Sequence, residues 1–489
     1  MESERPMSRA WLGGRISEEH RASLLSWLPW LGLILPMAAL LALAMRHLGT
    51  PSLWRDEVSS VVFAKGSLGD LLTIIGRDRD AVGLANMATY YLLLHFWLAV
   101  GETESRIRLL SVLFGVASVV PVYFIARRLG GWLAAGLAAA IFALIPYVIH
   151  YSQEARGYSL AMLIGGALTW LVLIGVERGR GAWWPWLAYG LIAALGLYVH
   201  FFVALVVAAH GLWLLVTRQV PGWRGIAAGG IPLLLAAAPI PLIIVQFGGE
   251  HGWIPPFNLP RFYGAVVELT GSLWLLIGMT ALLVLAAVLR RRDPRVWLLI
   301  ASVLLPIAVV AVVSLFKPFF IPRYVIMVLP MLAVLASVAL VAVRPVLLRA
   351  VMVAALFVAL VLAVPSAYWS ATNIRWREVG RWMAEEVQPG DRVWMQSWIG
   401  SPLEYYLHRA SPNAAPDRVS FDEALFDSRA RVWLALTGKR QGEIRDTVLL
   451  FLKRYQVVDA RNLGARGRLF LLEPIDQATS AVSSPIGRL

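Results

Sequence analysis

Two acidic residues stand side by side in "LWRDEVSSV", Leu53 to Val61, in a chain that carries few charges. Asp56 and Glu57 come soon after the first long apolar run and sit among Trp54, Val58, Val61 and Val62. Carboxylates crowded at an apolar boundary raise one another's pKa, which suits one of them to act as a general base. The plain alternative is a solvated pair in a loop. A second cluster lies in "YVIHYSQEARGYSLAML", Tyr147 to Leu163, where a short polar link between apolar runs holds His150, Gln153, Glu154, Arg156 and Tyr158. Gly157 alone could make the turn there. Glu154 and Arg156 could simply neutralise one another, but a tight hairpin of this composition at membrane depth more often faces a polar cavity.

Basic residues form the third group. Arg108 in "ESRIRLLSVLFG", and Lys317, Arg323 and Tyr324 in "FKPFFIPRYVIMVLP", occupy positions that the topology below puts outside the membrane. Outer-facing cations oppose the usual charge bias, and gripping a lipid phosphate is a reason to keep them. Arg106 reads as an interfacial anchor. His200, in "LYVHFFVAL", falls between two apolar runs with almost no loop, where a lone histidine is more often structural. No phosphate-cradling glycine loop, HExxH or GxSxG motif carries weight, and the loops opposite the acids are short and merely basic.

The elements that must position these groups follow from composition. Of 489 residues, 59% are hydrophobic and only 15% charged, against the ~25% charged residues of an ordinary soluble protein. The chain is therefore a multi-pass membrane protein, all-α in its main body. Eleven candidate spans lie near 24–45, 108–126, 132–149, 158–176, 183–199, 201–217, 225–246, 270–289, 296–315, 324–343 and 346–364, each near the ~20 residues a bilayer needs. The net charge of +14 does not point to nucleic acid. The arginines cluster between apolar runs (Arg127-Arg128, Arg178 and Arg180, Arg218 and Arg224, Arg290 to Arg292 with Arg295), as cytoplasmic loops do, where they attract anionic lipid.

With residues 1–23 in the cytoplasm, every arginine cluster falls inside, and Asp56, Glu154, His200 and Arg323 fall outside. The apolar stretch Ala85 to Gly101 would invert this order if it crossed. It is short and contains His95, so the expectation is surface helices within a structured first outer loop, 47–106. Residues 24–364 then form the membrane domain. After Val364 the pattern changes: an amphipathic helix, a Pro-Gly-Asp turn, the strand-like "RVWMQ", "RVWLAL" and "RLFLLEP", and the helical "GEIRDTVLLFLKRY" predict a small α/β domain over 365–489 on the outer face. The absence of cysteine rules out disulfides and thiolate metal sites and leaves the redox compartment unread.

Several of these stretches, in this order, resemble the bacterial GT-C glycosyltransferases of the protein-mannosyltransferase-like family 39. They are "WRDEVSS", "YYLLLHFWLAVGETESRIRLLSVLFGVASVVPVYFIARRLGG", "IPYVIHYSQEARGYSL", "LYVHFF" and "KPFFIPRYVIMVLP", and the likeness covers roughly residues 20–345. It implies transfer of a sugar, mannose or similar, from a polyprenyl-phosphate donor to a lipid, glycan or protein acceptor at the outer face of the plasma membrane, with inversion. It further implies that Asp56 is the catalytic base with Glu57 beside it, that Arg108 lies near the donor phosphate, and that Gln153, Glu154 and Arg156 line the site. The family's proline before the surface helix is missing, because Ala88 stands in its place in "NMATYY".

The chemistry is coherent. A lipid phosphate is already a good leaving group, so cations (Arg108, Arg323 and Lys317) replace a general acid, and a carboxylate on the opposite face takes the acceptor proton. Tyr158, His200 and Tyr324 complete a substrate-binding set. Glu154 serves as a second acid, or shares a divalent ion, Mg²⁺ or Mn²⁺, with Asp56 and Glu57; metal use stays open. A secondary transporter is the rival reading, but it would carry its ionisable residues at the bilayer midplane. Only His210 does so here, and it reads as a packing residue.

Overall fold

The computed structural model describes residues 18–69, 86–237, 254–368, 374–395, 400–412, 416–426, 430–437, 441–464 and 467–475. Parts of four expected features lie outside these residues: 1–17 of the N-terminal segment, 70–85 of the first loop, 238–246 of the seventh apolar run, and 476–489 with shorter stretches of the C-terminal domain.

The main body is helical. Among the described residues five helices are long and apolar enough to cross a membrane, or six if the pair Leu259–Thr270 and Leu273–Leu289, bent by 83°, counts as one. Shorter apolar helices, Pro29–Met45, Ala88–Val100, Trp184–Leu197, Val203–Val216 and Trp223–Ala237, accompany them. The run Glu104–Leu144 is broken at Gly131, whose φ of 77° and ψ of −169° suit glycine. Contacts fix the ends of its two arms. Arg128, just before the break, pairs with Glu177 at 3.1 Å and offers its carbonyl to Arg295 at 3.2 Å. Arg108, near the start of the first arm, meets the loop at Leu48, and the second arm leads into the Pro146–Ser152 helix beside it. The two arms therefore run in opposite directions, with Arg128, Glu177 and Arg295 at one end of the bundle and Glu57, Arg108 and Glu154 at the other.

Ala88–Trp97 is a helix of 10 residues, about 15 Å long and too short to span. It buries Tyr90, Tyr91 and Leu94 against the bundle and leaves Phe96 exposed. His95 ties it to the carbonyl of Ala64 at 2.8 Å, and it packs onto the Arg55–Lys65 helix.

Past the Val346–Ala363 helix and a turn at Val364–Tyr368, the chain forms a mixed five-stranded sheet in the order β2-β1-β3-β5-β4. Strands β1 (Arg392–Met395), β2 (Asp417–Arg418) and β3 (Val432–Thr437) are parallel, and β5 (Gly467–Pro474) runs antiparallel between β3 and β4 (Tyr455–Gly464). Helices Trp376–Glu386 and Gly400–Ala410 pack together and bury Trp376, Val379, Met383, Leu403 and Tyr406.

Candidate active site

Asp56 and Glu57 occupy the first turn of the Arg55–Lys65 helix, where the backbone N–H groups favour negative charge. Their environments then diverge. Glu57 is 1% exposed. Its Oε1 accepts from Arg108 Nε at 2.7 Å and from the Ala155 N–H at 2.9 Å, and its Oε2 from Arg108 Nη2 at 2.6 Å and the Trp54 N–H at 3.2 Å. All four acceptor positions of a carboxylate are filled. Asp56 is half-buried, and its carboxylate has a single ionic neighbour among the described residues, Arg323 Nη2 at 4.0 Å from Oδ2. The pair read as a unit thus divides: Glu57 is a structural anchor, and Asp56 is the carboxylate free to take a proton.

Arg108 does not meet the expectation of a phosphate ligand. A guanidinium has five N–H donors, and here Nε and Nη2 hold Glu57, Nη1 donates to the carbonyls of Leu48 and Pro51 at 2.8 Å each, and Nη2 also donates to that of Ser52 at 3.1 Å. No donor is left for a lipid headgroup. Lys317 is exposed at the end of the Pro294–Phe316 helix and lies outside the cluster.

Arg323 and Arg156 are the cations with capacity to spare. Arg323 Nε is buried without a hydrogen-bond partner among the described residues, and its guanidinium lies 5.9 Å from the Trp54 ring and 6.0 Å from that of Tyr158. Arg156 donates through Nη1 to Tyr91 Oη at 2.9 Å and to Ser60 Oγ and the Asp56 carbonyl at 3.3 Å each, while its Nε is also unpartnered. Buried polar groups are nearly always hydrogen-bonded, so these N–H groups give Arg323 and Arg156 the capacity to bind an anion.

Glu154 is 7% exposed, and its Oε1 has no partner among the described residues. Burial, reinforced by the negative charge of Glu57, pushes its pKa up to about 8. It therefore holds its proton at neutral pH and can donate a hydrogen bond as a neutral acid. The link that carries it turns without left-handed glycine: Gly157 has φ −69°. What that position demands is space, since a Cβ there would stand 3.2 Å from Val199 Cγ1 and 3.3 Å from its carbonyl oxygen.

Tyr158, His200 and Tyr324 form an aromatic wall. The His200 ring is 6.1 Å from Tyr158 and 5.4 Å from Tyr324, which stacks on Phe202 at 5.2 Å. Burial and the charges of Arg156 and Arg323 hold His200 down to about 3, hence neutral. Its Nδ1 accepts from the Phe202 N–H at 3.4 Å, which assigns the proton to Nε2, a further unpartnered buried donor. His210 is a packing residue: Tyr189 Oη lies at 3.0 Å from one ring nitrogen and Thr169 Oγ at 3.1 Å from the other.

A polar cavity of about 260 Å³ opens beside this cluster, lined by Trp54, His150, Gln153, Glu154, Arg323 and Tyr368, with the Glu57–Arg108 pair as part of its wall. Arg323 both lines it and approaches Asp56 Oδ2 to 4.0 Å. His150 donates from Nδ1 to the Ala367 carbonyl at 2.9 Å, with burial lowering its pKa. Glu268, within electrostatic reach of Arg323, escaped the sequence reading; it is the lone carboxylate of the Leu259–Thr270 helix, a signal that could have been seen. A second, larger groove of about 780 Å³ is almost wholly apolar, lined by Phe262, Val266, Met279, Leu283, Ile307 and Leu332. It holds none of the candidate catalytic residues.

The three expected metal ligands do not form one site. Glu57 has no acceptor position left for a cation, and among the described residues no three His, Asp or Glu side chains are placed to hold one.

Comparison with known proteins agrees with the motifs. The profile of the dolichyl-phosphate-mannose-protein mannosyltransferase family matches residues 86–244. No curated protein matches the chain in sequence. Among solved structures, ArnT from Cupriavidus metallidurans bound to undecaprenyl phosphate superposes with a TM-score of 0.60 at 16% identity, over 90% of this chain and 97% of that one. The apo oligosaccharyltransferase of Archaeoglobus fulgidus reaches 0.50 at 13% identity, over 90% and 74%. The chain has the GT-C fold of membrane glycosyltransferases, and its resemblance to the protein-mannosyltransferase-like family is borne out.

Proposed function

We propose that this protein is an inverting glycosyltransferase that moves a sugar, mannose or a similar one, from a polyprenyl phosphate to an acceptor at the outer face of the plasma membrane. One observation carries the reading: the carboxylate of Asp56 stands 4.0 Å from Arg323, a half-buried guanidinium whose Nε has no partner among the described residues. A base opposite an anion-binding cation is what displacement at an anomeric carbon requires. The acceptor hydroxyl gives its proton to Asp56 as its oxygen bonds to the anomeric carbon. The bond from that carbon to the phosphate oxygen breaks on the opposite face, and its electron pair leaves with the polyprenyl phosphate. Arg323 and Arg156 stabilise the charge gathering there, and protonated Glu154 offers a hydrogen bond to substrate oxygen.

The apolar groove suits the polyprenyl chain, and the polar cavity suits the hydrophilic partner. That ArnT of C. metallidurans binds undecaprenyl phosphate supports the choice of donor. A divalent cation held by Asp56, Glu57 and Glu154 together does not fit the geometry, and no step above uses one.

The test is product identification. The protein in nanodiscs of bacterial lipid is incubated with undecaprenyl-phosphate mannose, glucose or arabinose, and the lipids, glycans and proteins are analysed by mass spectrometry. A glycosylated acceptor of inverted anomeric configuration is the expected result. Retention of configuration, or no consumption of any donor, would overturn the reading.

A further inference from the structure

The loop bearing Asp56 is gripped from two sides, and one grip belongs to the C-terminal domain. From the membrane domain, Arg108 holds the carbonyls of Leu48, Pro51 and Ser52. From the C-terminal domain, Tyr406 Oη accepts the buried N–H of Leu53 at 2.7 Å and donates to Glu104 Oε1 at 3.0 Å. Arg377 donates from Nη2 to the Gly49 carbonyl at 3.0 Å and from Nε to Glu104 Oε1 at 3.0 Å, and its backbone N–H reaches Ser52 Oγ at 3.1 Å. The Gly400–Ala410 helix also packs on the Arg55–Lys65 helix that begins beside Leu53. Leu53 is fully buried.

We infer that the C-terminal domain is part of the catalytic apparatus, with Tyr406 and Arg377 as positioning residues that set the height and register of the Asp56 helix. Neither residue lines the polar cavity or the apolar groove; they act through Leu53, Gly49 and Ser52. Glu104 is the shared post, receiving both side chains at the start of the helix that also carries Arg108. An Asp56 carboxylate that drifts by an ångström no longer meets the acceptor proton, and shifts of that size cost up to ~10²-fold in rate. The donor is held through Arg323 and Arg156, which sit on other elements, so its binding depends less on that register than proton transfer does.

This inference rests on Asp56 being the base, and the experiment separates the two. Tyr406→Phe keeps the ring and removes the bridge; Arg377→Gln removes the second contact at a half-exposed site, and Arg377→Lys restores part of it. Each variant is compared in nanodiscs for kcat on undecaprenyl-phosphate mannose, for affinity toward undecaprenyl phosphate, and for hydrogen exchange of the 48–57 peptide. The expected result is a roughly 10- to 100-fold loss of kcat, faster exchange confined to that peptide, unchanged lipid affinity, and partial recovery in Arg377→Lys. Unaltered kcat in Tyr406→Phe and Arg377→Gln, with Asp56→Asn inactive, would overturn the inference alone. Normal turnover by Asp56→Asn would overturn the base assignment on which it depends. Should Tyr406→Phe fail to fold, Arg377→Gln decides the question by the same readouts.

Discussion

Arg108 and Glu57 saturate one another: the guanidinium spends its five N–H donors on the carboxylate and on three loop carbonyls, and the carboxylate fills its remaining positions with two backbone N–H groups. The pair fastens the loop before Asp56, the Arg55–Lys65 helix and the Glu154 link at one point.

Removing either partner leaves a buried charge uncompensated, which costs about 3–5 kcal/mol. Arg108→Ala and Glu57→Gln should therefore lower thermal stability strongly, as read by a fluorescence melt in detergent. Undecaprenyl phosphate affinity of the surviving folded fraction should stay near wild type, since Arg108 has no donor to offer it. Normal melting with weakened lipid binding would return Arg108 to the phosphate site.

How far the sequence reaches is clear from this pair. That Asp56, Glu154, Arg156 and Arg323 gather at one end of the bundle is legible from charge placement alone, because stray charges at membrane boundaries need a reason. That Glu57 is an anchor and Asp56 is not was illegible, since adjacent helical residues point in different directions and their partners come from distant segments. Leu53 and Tyr406 are 353 positions apart. Strand β4, "YQVVDARNLG", hid for a local reason: an edge strand with bulges at Val457/Asp459 and Asn462/Gly464 breaks the alternation that betrays β3 and β5.

Asp56→Asn keeps the shape of the side chain and cannot accept a proton. Transfer should fall by at least the ~10²–10⁴ typical of lost general-base catalysis, with lipid binding intact. A radiolabelled-donor assay measures the first and a pull-down on undecaprenyl phosphate the second. Turnover near wild type would reduce Asp56 to a helix-terminal charge with no part in catalysis.

Arg323→Ala should weaken undecaprenyl phosphate binding about 10-fold or more, because charge-assisted hydrogen bonds to phosphate are among the strong ones. Arg323→Lys should recover the charge but not the forked geometry. Lys317→Ala, at an exposed site away from the cluster, should change neither binding nor rate; a loss there equal to that of Arg323→Ala would show the cluster to be wider than the structure places it.

The separation of the Arg128–Arg295 end of the bundle from the end that carries Asp56 and Glu154 makes the topology testable in a chain without cysteine. Asp422→Cys, exposed in the C-terminal domain, should react with an impermeant maleimide on intact cells, and Arg292→Cys only after permeabilisation. The reverse labelling would invert the protein in its membrane.

Glu154 gives the pH dependence its sign. Its pKa, near 8 in the folded protein, lies above the ~4.3 of a free glutamate. Between those values the folded state keeps a proton that the unfolded state has lost, so stability from this group falls as pH rises from about 4.5 to 8 and is level beyond. In function the same proton matters directly. Below pH 8 the neutral carboxyl can donate to substrate oxygen; above it, a carboxylate stands near Asp56 and Glu57 and repels the phosphate. Turnover should accordingly fall on the alkaline side with an apparent pKa near 8. Glu154→Gln, an amide that donates at every pH, should abolish that alkaline limb and flatten the slope of melting temperature against pH. An alkaline limb unchanged in Glu154→Gln would assign it to another group.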